Sequence, residues 1–176
     1  MKKRFLGVLL SVIALSGMPG ADTRTPQVGQ PAPDFSLPSM EGRTVSLKDY
    51  KGKWVVLYFY PKDFTSGCTL EAHNFERDLV KYQNESAIIL GVSADTVQSH
   101  KDFCAKEGLN FKLLADPDLK AATKYGSAME HDGAKMAARN TFLINPEGKI
   151  ARVYLQVIPA GHSEQVLNDL VVLKKG

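Results

Sequence analysis

Two dense apolar runs dominate the pattern along this chain, Trp54-Val-Val-Leu-Tyr-Phe-Tyr60 and Ala87-Ile-Ile-Leu-Gly-Val-Ser93. Neither alternates with polar residues, so each predicts a strand covered on both faces. Thr44-Val-Ser-Leu47 does alternate and suggests a short strand, with Leu47-Lys-Asp-Tyr50 as a turn of helix. Phe111 to Leu114, Thr141 to Ile144 and Lys149 to Val157 predict further strands. The four-residue turn Asn145-Pro-Glu-Gly148 joins the last two into a hairpin. Between the strands the apolar period changes to that of a helix. Cys68, Ala72, Phe75, Leu79 and Tyr82 form one stripe, on a helix whose body is Thr69 to Tyr82. Asp95 or Thr96 can cap a second helix running to about Glu107, where Gly108 stops it. Asp116-Pro117 signals entry into a helix over Asp118 to Tyr125. Ser163 to Leu173 is a final amphipathic helix, and Asp22 to Pro38 reads as an extended lead-in rich in Pro, Thr and Gln.

This order gives β-α-β-α-β-(α)-β-β-α. Strands separated by helices imply parallel neighbours, and the terminal hairpin adds antiparallel pairing. The fold class expected is α/β: a three-layer α/β/α sandwich of thioredoxin-like type, with a mixed sheet and a C-terminal β-hairpin. In such sheets the site lies at the carboxyl end of a central strand, which is where Cys68 falls.

The first 21 residues follow another pattern. Met1-Lys-Lys-Arg4 is positive, Phe5 to Leu15 is apolar, and Ser16-Gly-Met-Pro-Gly-Ala21 is an exit of mostly small residues. This is the layout of a cleavable export signal, too short for a comfortable membrane span. Cleavage after Ser16 or after Ala21 is expected, leaving one domain over 22–176, an exported, periplasmic location and no stable membrane association. Lys2, Lys3 and Arg4 account for as many charges as the formal net of +3, so the remainder is near neutral. A basic surface for nucleic acid is therefore not indicated.

The chain has two cysteines, Cys68 and Cys104, and no C-x-x-C. His73, His100, His131 and His162 are scattered, without a zinc-site spacing; His73 and His100 are expected at the surface. Trp54 and the aromatics Tyr58-Phe-Tyr60 read mainly as core, although Phe59 or Tyr60 could wall a pocket. The chemistry-bearing stretch is Pro61-Lys-Asp-Phe-Thr65-Ser-Gly-Cys68, which leads from the first buried strand into the first helix. Backbone N–H groups at a helix N-terminus favour an anion, and a thiolate rather than a thiol is the nucleophile. A single cysteine in that first turn is a plausible reactive residue.

Several stretches together resemble the peroxiredoxins, specifically the bacterioferritin comigratory protein or peroxiredoxin Q group. They are Tyr58-Phe-Tyr-Pro-Lys-Asp63, Thr65-x-Gly-Cys-Thr69 with Glu71-Ala72, Ser99-His-Lys101 with Phe103, Leu113-Leu-Ala-Asp-Pro117, Arg139-Asn-Thr-Phe-Leu-Ile144 and Gly161-His162. The resemblance spans about Val28 to Leu170. It implies a thiol peroxidase acting on hydrogen peroxide and organic hydroperoxides, with no cofactor and no metal, recycled by a thioredoxin-like dithiol, and monomeric. It makes Cys68 the peroxidatic cysteine, which becomes a sulfenic acid. Thr65 would hydrogen-bond the thiolate or the peroxide, Pro61 would shield the pocket, Arg139 would polarise the O–O bond, and Glu71 would orient Arg139. The group often carries a second cysteine five positions after the first, where this chain has His73, and a proline where it has Ser66. Cys104 then becomes the candidate resolving cysteine. Because the two cysteines fall in separate helices, and a disulfide needs Cα atoms within about 7 Å, the first turn after Cys68 is expected to unwind during turnover. Two alternatives stay open at this stage: a thiol–disulfide oxidoreductase on the same fold, and a non-catalytic domain with a structural disulfide.

Overall fold

The computed structural model describes residues 25–175. The export signal expected over the first 21 residues lies outside the described residues. Strands β1 (Ser36–Pro38) and β2 (Thr44–Ser46) form a small antiparallel pair, followed by a 3-10 turn over Leu47–Tyr50. Then come β3 (Trp54–Phe59), α1 (Ser66–Asn84), β4 (Ala87–Ser93), α2 (Val97–Glu107), β5 (Lys112–Ala115) and α3 (Lys120–Lys124). A second small hairpin, β6 (Ala128–His131) and β7 (Ala134–Ala137), precedes β8 (Asn140–Ile144), β9 (Ile150–Tyr154) and α4 (His162–Leu173).

The main sheet has the order β5-β4-β3-β8-β9. Pairings β3–β4 and β4–β5 are parallel, while β3–β8 and β8–β9 are antiparallel. The mixed sheet with its terminal hairpin is therefore as the sequence pattern implies. β3 is central, and its alternate side chains feed two separate apolar clusters. Val56 and Tyr58 point to the face covered by α1, α2 and α4, where Phe75, Tyr82, Phe103, Val166 and Leu170 meet. Val55, Leu57 and Phe59 point to the other face, closed by Phe35, Leu37, Val45 and Tyr125. Burial on both faces is why β3 and β4 read as unbroken apolar runs, and each fully buried side chain of this size stabilises the fold by about 1.5–3 kcal/mol. The second outer layer is thin: the short helix α3 and the β1–β2 pair close it in place of long helices.

Three parts of the chain depart from the sequence-based expectations. Helix α3 starts at Lys120, later than the Asp116-Pro117 signal suggests. The Asp116 carboxylate still caps it, accepting from the backbone N–H groups of Lys120 and Ala122 at 2.8 Å each. Leu119, at φ 54, makes the intervening turn. The β6–β7 hairpin was not anticipated, although Asp132-Gly133 at its tip, with φ of 50 and 76, is a strong two-residue hairpin signal. Its strands are largely exposed and so carry no apolar alternation. β1 falls inside the stretch read as an extended lead-in.

Candidate active site

The loop from Pro61 to Thr65 leaves the carboxyl end of β3 and enters α1. Cys68 is the third residue of that helix and is buried, at 2% exposure. The helix begins with the Thr69 N–H donating to the Thr65 carbonyl at 2.9 Å. Above this turn, Arg139 Nη2 donates to Cys68 Sγ at 3.3 Å. Arg139 immediately precedes β8, the antiparallel neighbour of β3, so the sheet register brings it beside the loop. Its Nη1 donates to Glu71 Oε2 in a close ion pair. Gly67 leaves room for this approach: a Cβ there would lie 3.3 Å from Arg139 Nη2, closer than ordinary contact. The segment after β9 closes the far side. Its Val157 N–H donates to the Arg139 carbonyl at 2.8 Å, and Asn74 Nδ2 donates to the Pro159 carbonyl at 3.1 Å.

Glu71 is also buried, with Oε1 lacking a hydrogen-bond partner among the described residues. Burial pushes its carboxyl up to about 7, against the opposing pull of Arg139. Burial also works against charge on Arg139, but the negative charges of Glu71 and Cys68 outweigh it and raise that group further. The guanidinium thus stays cationic between a carboxyl and a sulfur. A fixed cation beside a sulfur in the first turn of a helix favours negative charge on that sulfur or on an atom bound to it.

Cys104 has a different setting. It sits near the end of α2 within the apolar cluster of Phe103, Phe111 and Leu113. Burial pushes its thiol up to about 12, with the charges of Asp63 and Glu76 adding to the effect. Both cysteines are free thiols. Tyr58 lies between these regions: its hydroxyl is buried without a partner among the described residues, and the charges of Glu71, Cys104 and Cys68 add to the burial that holds it protonated. Gly91 on β4 leaves room for that ring, since a Cβ there would approach the Tyr58 hydroxyl to 2.7 Å.

The structure therefore joins three residues singled out from the sequence, Cys68, Arg139 and Glu71, by direct contacts. Thr65 is adjacent, but its hydroxyl donates to the Lys62 carbonyl at 2.9 Å and makes no hydrogen bond to Cys68. Pro61 is half-buried at the start of the loop. Among the described residues no group of three His, Cys, Asp or Glu could hold a metal ion, and no helix is long and apolar enough to cross a membrane.

Residues 28–153 match the model of the AhpC/TSA family. The chain belongs to that family. Among curated relatives, peroxiredoxin Bcp of Xanthomonas campestris is 41% identical over 146 residues, covering 80% of this chain and 91% of the relative. Peroxiredoxin Bcp of Bacillus subtilis is 40% identical over 153 residues, covering 83% and 96%. Among solved structures, a cysteine-to-serine variant of Xylella fastidiosa PrxQ superposes with a TM-score of 0.82 at 34% identity, covering 86% of this chain and 99% of that one. The chain is thus a peroxiredoxin of the Bcp and Q type, on the thioredoxin-like fold.

One expectation fails inside this peroxiredoxin. His100 is fully buried rather than at the surface, because α2 turns it inward against Asp63. No local signal marked it: His100 interrupts the apolar face of α2, Asp63 lies in a polar loop, and only the fold brings the two together. His73 is exposed as expected and pairs with Glu107 at 2.9 Å.

Proposed function

We propose that the chain reduces hydrogen peroxide and organic hydroperoxides through Cys68, with Cys104 as the resolving thiol. The observation that carries this is the Arg139 guanidinium at 3.3 Å from the Cys68 sulfur, in the first turn of α1 and pinned by Glu71. The Cys68 thiolate attacks the terminal oxygen of the hydroperoxide. The S–O bond forms as the O–O bond breaks, and the leaving alkoxide or hydroxide takes a proton to become alcohol or water. Negative charge grows on the leaving oxygen, where Arg139 and the helix N–H groups are placed to receive it. The family resemblance adds Thr65 and Pro61 to this site; with its proton on the Lys62 carbonyl, the Thr65 hydroxyl is left to accept a hydrogen bond from the hydroperoxide.

The second step joins Cys104 to the Cys68 sulfenic acid. The Cys104 sulfur attacks the Cys68 sulfur, the S–S bond forms, the S–O bond breaks, and the hydroxide leaves with the thiol proton as water. Both sulfurs are buried on different helices, so the first turn of α1 unwinds to bring them together. Two solved structures of the Xanthomonas campestris peroxiredoxin Q are cysteine-to-serine variants at positions as far apart in sequence as Cys68 and Cys104, which supports the pairing. A thioredoxin-like dithiol then reduces the disulfide. The positive, apolar and small-residue pattern of the first 21 residues supports action as an exported, periplasmic protein.

The test is peroxide consumption by the reduced protein with thioredoxin and its reductase as electron source. Turnover with both hydrogen peroxide and an alkyl hydroperoxide, lost in Cys68→Ser, is the expected result. Insulin reduction without peroxide consumption would instead favour a thiol–disulfide oxidoreductase.

A further inference from the structure

The loop that leads into Cys68 is fastened to the helix that carries Cys104 by a buried polar cluster outside the peroxide site. Asp63 and His100 are 3% and 0% exposed. His100 Nδ1 lies 2.9 Å from Asp63 Oδ2, and Nε2 lies 3.2 Å from the Leu114 carbonyl. A carbonyl only accepts, so Nε2 carries a proton. Asp63 also accepts from the Ser99 hydroxyl and the Tyr60 hydroxyl, each at 2.7 Å, and its own N–H donates to Asp95 Oδ2 at 2.9 Å. The next residue, Phe64, is held at φ 61, a left-handed conformation that is unfavourable for a bulky side chain. Its ring packs edge-on against Phe103 at 5.1 Å, with Lys106 Nζ 5.4 Å above it. Loop and helix are thus one coupled unit, joined through Asp63 and Phe64 on one side and Ser99, His100, Phe103 and Lys106 on the other.

His100 is one helical turn before Cys104, on the same face of α2. While His100 is held by Asp63 and Leu114, that face stays turned inward and the Cys104 sulfur stays in its apolar cluster. We propose that the Asp63–His100 pair is a latch on the disulfide-forming step: its release, rather than the chemistry at Cys68, sets how quickly Cys104 reaches the sulfenic acid. Both are positioning residues, with no hydrogen bond to either sulfur among the described residues. The proposal rests on Cys104 being the resolving thiol.

Rapid-quench mass analysis of the reduced protein after mixing with hydrogen peroxide separates the two steps. In His100→Ala the oxidation of Cys68 stays within about twofold of wild type, while disulfide formation becomes about tenfold faster, as loss of a hydrogen bond to a charged group would give. The fraction of Cys68 driven to sulfinic acid at high peroxide falls accordingly. His100→Asn keeps a donor at the place of Nδ1 and lies between the two. Ser99→Ala, at a partly buried position that removes only one donor to Asp63, shifts disulfide formation the same way by less and decides the matter should His100→Ala fail to fold. Disulfide formation that is unchanged or slower in these variants, or both steps changing in parallel, would overturn the latch. A wild-type protein that stops at sulfenic acid would overturn the assignment of Cys104, and the latch with it.

Discussion

The two thiols of this chain occupy opposite electrostatic settings within one apolar cluster. Cys68 stands at a helix N-terminus with a guanidinium 3.3 Å away, a place built for an anion. Cys104 stands near the other end of a different helix, where burial and the carboxylates of Asp63 and Glu76 all disfavour ionisation. Burial alone does not separate them, since they are 2% and 8% exposed. What separates them is the sign of the nearest charges. One sulfur has a cation beside it in the folded protein, as the proposed attack on a peroxide needs. In the proposed cycle the other has to leave its surroundings before it can act as a nucleophile, which would place reaction and resolution in different conformations.

Removing the cation breaks this contrast most severely. Arg139→Ala slows oxidation of Cys68 by about 10²–10³-fold, the usual effect of losing one charge-stabilising donor; stopped-flow measurement under single-turnover conditions reads this directly. Arg139→Lys keeps the charge but loses the two-pronged fork that reaches Glu71 and Cys68 together, and recovers only part of the rate.

A smaller effect comes from Glu71. Its carboxyl titrates at about 7, so it is neutral a unit below that pH and an anion a unit above it. Glu71→Gln therefore oxidises at close to the wild-type rate near pH 6 and falls behind near pH 8, where only the wild type has a charged clamp on Arg139. Parallel pH profiles would show that the carboxylate does not orient the arginine.

The smallest effect concerns Cys104 itself. Its thiol is raised from 9 to about 12 on folding, so between those values the unfolded chain loses a proton that the folded chain keeps. Stability contributed by this thiol is intact below pH 9 and is lost as pH rises toward 12. The difference in Tm between reduced wild type and Cys104→Ala should shrink from pH 8 to pH 10. A constant difference would mean that Cys104 is not held neutral by the fold.

Much of this arrangement was legible in the sequence, for identifiable reasons. β3 and β4 are covered on both faces, so their apolar runs are unbroken. The stripe Cys68, Ala72, Phe75, Leu79 and Tyr82 is the buried face of α1. Thr96 and Gly108 bound α2 as their chemistry demands: the Thr96 hydroxyl accepts from the Ser99 N–H, and Gly108 adopts φ 68. What was not legible depends on partners distant in sequence. His100 breaks an apolar face and looks like a surface residue until Asp63, 37 positions earlier, is brought against it. The hydroxyl of Thr65 turns to Lys62 through local loop geometry. The β6–β7 hairpin has its Asp132-Gly133 turn but little buried surface, so periodicity gave no sign of it.

The most direct test of the central claim, that Cys68 reacts and Cys104 resolves, is intact mass after one equivalent of hydrogen peroxide on the reduced wild type and on Cys104→Ser. The account predicts loss of two hydrogens in the wild type, and a trappable sulfenic acid at Cys68 in the variant. Sulfenic acid at Cys68 in both proteins would contradict the role of Cys104, and an unmodified Cys68 in both would contradict the peroxidase reading altogether.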